Sequence, residues 1–249
     1  MQFRFADQTI INVNSRSEAE LLADVRNRLA ARQSFAIATI NVDHLQRLGE
    51  DLAFRKAYGA HDIVCADGNP IVWLSKLAGK PVGLVPGSDL VVPLMRLAVE
   101  AGVPVAFVGA REDSLAKAAD RLRELVPGLN VALCHAPGFP FDPDGPEGAE
   151  IIERLRASGA RICLLALGAP RQERFAIRAR DALHGVGFAS IGAGLDFLSG
   201  HQQRAPKAFR QMKMEWLWRM MSNPKRLAGR YAKGFTILPG HAVRAWRQR

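Results

Sequence analysis

RICLLALGAPRQE, residues 161–173, sets six apolar residues in a row, Ile162 to Leu167, before a glycine, a proline and a charged stretch. A strand with one wet face alternates apolar and polar residues. An unbroken run this short, closed by glycine, reads as a strand covered on both faces, and the positions after it (171–183) have helical spacing. The same unit recurs in both directions. FAIATI (35–40), DIVCA (62–66), VPVAFVG (103–109), NVALCH (130–135) and VGFASIG (186–192) are strand-like, with helical patterns near 70–79, 89–101, 113–125 and 147–158, and a further helix, SEAELLADVRNRLAA (17–31), in front. Buried strands alternating with amphipathic helices predict an α/β, Rossmann-like, mostly parallel sheet with helices on both faces. One segment, APGFPFDPDGPEG (136–148), is too rich in proline and glycine for a regular element.

Charge divides the chain where the pattern does. Of 34 Lys and Arg and 24 Asp and Glu, 12 bases and one acid, Glu215, lie from Ser199 onward, which leaves 22 bases against 23 acids before it. A balanced α/β core (1–198) is therefore followed by a basic helical appendage (199–249). In the appendage Phe209, Met212, Trp216, Leu217, Met220 and Met221 form an apolar stripe, Pro224 is expected to end the first helix, and KRLAGRYAKG (225–234) to form a short second one. Localised positive charge seeks a polyanion: nucleic acid, an anionic membrane surface or a phosphorylated substrate. Nothing approaches the ~18 to 20 apolar residues of a spanning helix, and the polar opening is unlike a signal peptide, so a cytoplasmic protein is expected. Cys65, Cys134 and Cys163 each sit in an apolar run and read as buried thiols, with neither disulfide nor zinc spacing.

In parallel sheets ligands bind beyond the carboxyl ends of the strands, and those positions are polar here. Thr39 and Asn41 follow the first strand, Asp67 the second, Gly109 the third; Gly168, Gln172 and Glu173 follow the fifth, and Gly192, Gly194 and Asp196 the sixth. Each has a plain role as a helix cap or turn residue. As a set they describe a nucleotide-sized pocket, with helix starts after Gly109 and Gly168 offering free N–H groups to phosphate. IGAGLDF lacks the third glycine of a dinucleotide fingerprint and comes late, and no Walker loop is present.

Taken in order, TIN (39–41), ADGNPIVW (66–73), GSDL (87–90), LGAPRQE (167–173), IGAGLDFLSG (191–200) and RAP…EWLWRM…NPKR (204–226) resemble the motifs of the WecG/TagA/CpsF glycosyltransferases, glycosyltransferase family 26. The resemblance implies an inverting, metal-independent transfer of a sugar from a UDP-sugar to a polyprenyl-diphosphate-linked saccharide at the inner face of the cell membrane. It also implies that Asp67 is the base, that Thr39 and Asn41 are its polar companions, and that Gln172 and Asp196 lie near the donor, with Asp196 a second candidate for the base. Gly109 and Gly168 join them as donor-binding candidates. Phe139 is another, although GFP stands where an aromatic-rich loop is common, and DGNP departs from the family's usual D-G-small-G run. The sugar itself is not legible. Relatives use UDP-linked N-acetylmannosamine, its uronic acid or glucose, and a uronic acid would call for a cation such as Arg111 or Arg171.

Departing UDP develops negative charge, which many glycosyltransferases neutralise with a divalent metal on a D-x-D string. The one such string here, Asp142 and Asp144, lies in the proline-rich loop, away from any strand end, so neither metal nor cofactor is expected. Arginine is then the natural substitute, because its planar fork binds phosphate oxygens bidentately. Arg204, Arg219, Arg226 and Arg230 match the family's basic appendage and are the diphosphate-binding candidates. Trp216, Trp218 and Phe209, flanked by Lys207, Arg210, Lys213, Lys225 and Lys233, have the composition of an interfacial helix, which makes an anionic membrane surface the expected partner. A homo-oligomer is left open. The alternative, an α/β nucleic-acid-binding protein using its basic tail, leaves the strand-end residues unexplained, so no nucleic acid partner is expected.

Overall fold

The computed structural model describes residues 1–201, 218 and 224–249, with backbone alone for 224–228, 230–232 and 235. Six strands form one parallel sheet: β3 (Phe35–Ile40), β4 (Ile63–Ala66), β5 (Val105–Gly109), β6 (Val131–His135), β7 (Ile162–Ala166) and β8 (Gly187–Ser190), in the order β4-β3-β8-β7-β5-β6. The expected doubly covered sheet is present because each central strand is apolar on both faces. From β3, Phe35 and Ile37 enter one hydrophobic cluster, while Ala36, Ala38 and Ile40 enter the clusters on the other side.

On the first face lie α1 (Glu18–Ala30), α5 (Gly87–Glu100) and α6 (Glu112–Leu125), joined by the short α9 (Gly194–Leu198). On the second lie α2 (Val42–Glu50), α3 (Leu52–Gly59), α7 (Pro146–Ser158) and α8 (Arg171–Ala182), with α4 (Asn69–Leu77) beside β4. The chain leaves β5 for β6 on one side and β7 for β8 on the other. The crevice between β5 and β7 is thus a topological switch point.

Several elements differ from expectation. The polar opening pairs β1 (Gln2–Arg4) with β2 (Ile10–Asn12) as an antiparallel hairpin, which buries Phe3, Ile11 and Val13. Residues 42–59, where no helix was read, form α2 and α3. Asn41 caps the first and Asp51 the second, each accepting from the backbone amide three residues on, and Asp51 breaks the periodicity between them. The helix expected to stop near 234 runs on as α10 (Pro224–Trp246), through Pro239. The lost hydrogen bond there is offset by Ile237, Leu238, Ala242 and Ala245, which pack on the cluster shared by β1, α2 and α4. Pro224 is therefore a first-turn proline of α10; the helix it was expected to end lies outside the described residues. Cys65 and Cys163 are buried, but Cys134 is exposed, because β6 is an edge strand with one wet face.

Candidate active site

The carboxyl ends of β4 and β3 bring the first group of predicted residues together. Asp67 continues the ladder, its amide donating to the Ile40 carbonyl at 2.8 Å. Gly68 then turns the chain at φ 125°, a conformation that side-chain-bearing residues rarely adopt, and its α-carbon faces the Asn41 side chain. Gly68 also holds the N-cap position of α4. Asn41 accepts from the His44 amide at 3.0 Å. Thr39 is buried, and a Cβ on Gly87 would stand 3.2 Å from its hydroxyl and 3.1 Å from the Ile191 α-carbon. That glycine lets the start of α5 lie directly over the ends of β3 and β8.

The second group surrounds the switch point. Gly109 has φ 110°, and a Cβ there would meet the Ala166 carbonyl carbon at 2.5 Å; next to it, the Ala110 amide donates to the Ala166 carbonyl at 2.9 Å. Gly168, at φ 71°, leads into α8. Arg171 opens that helix and sits over the ring of Phe139, its guanidinium carbon 5.7 Å from the centroid; Phe139 itself is 89% exposed. The two helix starts proposed for phosphate are unlike. The first turn of α6 carries Glu112 and Asp113, and Asp113 pairs with Arg111 and His201, so that positive end is already occupied by carboxylates. The start of α8 carries Arg171.

Gln172 and Glu173 are both buried, and Gln172 Nε2 donates to Glu173 Oε1 at 2.8 Å. The amide oxygen of Gln172, Oε1, and the second carboxyl oxygen of Glu173, Oε2, have no hydrogen-bond partner among the described residues. A buried unpaired acceptor costs about 1–3 kcal/mol. Burial pushes the Glu173 carboxyl up to about 7, against the pull of the Gln172 hydrogen bond and of Arg47. Arg47 on α2 donates to the Ala169 carbonyl at 3.2 Å, tying α2 to the loop before α8. Glu173 was legible only as part of LGAPRQE. Its burial comes from α3 closing over α8, where Tyr58, also fully buried, meets His44 Nδ1 at 3.2 Å.

A pH prediction follows from Glu173. Its folded pKa is raised from 4.5 to about 7. The folded state therefore holds a proton that the unfolded chain releases, and this group's contribution falls as pH rises from 4.5 to about 7, by up to about 3 kcal/mol. His61, lowered from 6.5 to about 4 chiefly by burial, acts in the opposite sense, its contribution being lost as pH falls through that range. Glu173→Gln should accordingly gain stability relative to wild type as pH rises from 5 to 8. Parallel melting-temperature curves for the two proteins would contradict the burial argument.

Asp196, on α9, meets the first turn of α6. It accepts from Ser114 Oγ at 3.0 Å, and Ser114 Oγ in turn lies 2.7 Å from Ser199 Oγ, so this carboxylate joins α9 to α6. The D-x-D string is equally engaged: Asp142 Oδ1 accepts from the Asp144 amide at 3.0 Å, and Asp144 is ion-paired with Arg174. Among the described residues, no three His, Cys, Asp or Glu side chains are disposed to hold a metal ion, and no helix is long and apolar enough to cross a membrane.

Of the arginine candidates, Arg204 and Arg219 lie outside the described residues. Arg226 and Arg230 occupy the first two turns of α10, eight and four residues before Gly234, which packs against Val42 beside Asn41. Positions 226, 230 and 234 share one helical face, so the backbone brings that face to the rim formed by β3 and α2. Compared with protein families, residues 8–249 match the model of the glycosyl transferase WecG/TagA/CpsF family. A match over nearly the whole chain, on a parallel sheet whose polar residues gather at the strand ends, makes this protein a member of that family and a glycosyltransferase.

Proposed function

We propose that the protein transfers a sugar from a UDP-sugar to a polyprenyl-diphosphate-linked saccharide with inversion, without a metal, at the inner face of the cell membrane, in the synthesis of a surface polysaccharide. The observation that carries the reading is the position of Asp67: the first residue past β4, hydrogen-bonded through its backbone to β3, beside Asn41 and next to the strand bearing Thr39. In the proposed step the acceptor hydroxyl oxygen attacks the anomeric carbon, the bond from that carbon to the UDP oxygen breaks, and the hydroxyl proton passes to the Asp67 carboxylate. Thr39 and Asn41 orient the reacting groups.

The donor lies along the strand ends toward Gly109, Gly168 and Phe139, and the span from β4 to β5 is four strand spacings, roughly 19 Å. The unpaired oxygen of Gln172 supports a role for that residue in receiving a donor hydrogen bond. Asp196, tied to Ser114, supports the donor side of the cleft through the α6–α9 contact. Arg204, Arg219, Arg226 and Arg230 are proposed to neutralise the departing diphosphate, and the basic residues after Ser199 to hold the protein on anionic lipid.

Assay of a panel of UDP-sugars with a polyprenyl-diphosphate-linked acceptor tests the reading; release of UDP with none of them would refute it. Activity is expected to persist in excess chelator, and Asp142→Ala with Asp144→Ala to change turnover less than about threefold, since the two carboxylates lie in the loop before α7, away from the strand ends. Loss of activity on chelation, restored by Mg²⁺ or Mn²⁺, would remove the metal-independent part of the proposal.

A further inference from the structure

At the end of the sheet opposite the strand-end site, a cavity of about 480 Å³ opens between the N-terminal hairpin, the segment after α4 and the last turns of α10. Helix α10 passes Val42 at Gly234, and Arg249 meets Gly79 just beyond the end of α4, which puts the cavity roughly 20 Å of helix from the site. Four cations line it: Arg4, Lys80, Arg244 and Arg247. No carboxylate side chain does. Among the described residues none of the four takes part in an ion pair, whereas many arginines elsewhere do.

The arrangement is held by packing. The Gln2 amide donates to Gln248 Oε1 at 3.2 Å, and Gln248 Nε2 returns a bond to the Gln2 carbonyl at 2.7 Å. The Phe3 and His241 rings meet edge to face, with centroids 5.6 Å apart. Folding thus gathers positive charge from three distant segments around one concavity, with all four cationic side chains exposed at its rim. Burial, then Arg244, lowers the His241 pKa, as expected of an imidazole in an unneutralised positive field.

We infer that this cavity binds a phosphoryl group, held by the guanidinium forks of Arg4, Arg244 and Arg247 and by Lys80. Three planar donors around one concavity suit tetrahedral, multiply charged oxyanions better than a single carboxylate. Two sources share that chemistry: a soluble phosphate or diphosphate, and a phospholipid headgroup. Exposed Trp246 and Val243, interleaved with Arg244 and Arg247 on the same turns, are compatible with the second. No strand-end residue lines the cavity, so its soluble-phosphate arm does not rest on the transferase reading, whereas the lipid arm shares Arg244 and Arg247 with the membrane docking proposed above.

The full chain is to be titrated with inorganic phosphate and pyrophosphate against chloride at matched ionic strength, with the His241 imidazole NMR resonance as the local reporter. Sedimentation with phosphatidylglycerol and with phosphatidylcholine vesicles provides the lipid arm. Phosphate or pyrophosphate should raise the apparent pKa of His241, and Arg4→Gln with Arg244→Gln should weaken that binding about tenfold or more. Arg247→Gln alone, at an exposed position, should act in the same direction. Arg96→Gln with Lys117→Gln removes equal charge from exposed sites on α5 and α6 and should change binding less than twofold. If soluble phosphates leave His241 unmoved while phosphatidylglycerol vesicles are bound with the same variant dependence, the phosphoryl group is a lipid's. Equal weakening by both double variants, or no response in either arm, overturns the inference.

Discussion

Replacing Asp67 with asparagine is expected to lower sugar-transfer turnover by about two to four decades while UDP binds as in the wild type, the usual range for losing a general base. Asp67 is placed by its backbone, through the amide bond to Ile40 and the left-handed turn at Gly68, and neither depends on a charged side chain. Gly68 holds the N-cap position of α4. Turnover from steady-state UDP release, beside calorimetric UDP binding and a melting curve, separates loss of chemistry from loss of fold. Wild-type turnover in Asp67→Asn would sink the assignment and move attention to Asp196, whose carboxylate already accepts from Ser114.

Gly109→Ala should cost about 3 kcal/mol or more and carry activity down with the fold. Two penalties act at once. The φ of 110° is one that a side-chain-bearing residue rarely adopts, worth about 1–3 kcal/mol, and the added methyl would lie 2.5 Å from the Ala166 carbonyl carbon and 2.8 Å from the Leu167 nitrogen. Those are backbone atoms at the end of β7, the strand paired with β5, and of the residue after it, so the clash is relieved only by parting two central strands. Gly49→Ala, in α2 with nothing within 4 Å, is the matched control and should be neutral or stabilising by up to about 1 kcal/mol. Urea unfolding of both variants decides; equal midpoints would show that the β5–β7 junction yields more readily than its geometry implies.

The parallel sheet was legible because strands such as Ile162–Ala166 carry apolar residues without interruption, a pattern that only burial on both faces explains. The strand-end placement of Asp67, Asn41 and Thr39 was legible for the same reason, since a strand's end fixes where its next residues emerge. The small elements were hidden. Three-residue strands leave no period to read, and α2 and α3, nine and eight residues long, meet at Asp51 before either shows a full stripe. The second appendage helix was expected to end near Gly234, yet α10 runs on to Trp246 with Ala245 packed against the N-terminal hairpin.

The sequence by itself determined the order of buried strands and covering helices, the polar character of the strand ends and the gathering of positive charge after Ser199, because each depends on residue type and near spacing. Tertiary structure decided what each polar residue is free to do. Gln172 and Glu173 stand in a charge-rich helix that reads as solvent-facing, yet α3 closes over them and burial pushes the Glu173 carboxyl to about 7. Asp196 meets Ser114 only because α6 brings that hydroxyl to it from 82 residues away. Arg4 and Arg244 share one cavity only because a hairpin and the last helix meet at the far end of the sheet. Local pattern fixes which groups a strand or helix presents; partners distant in sequence fix the field, the solvent and the hydrogen bonds those groups meet.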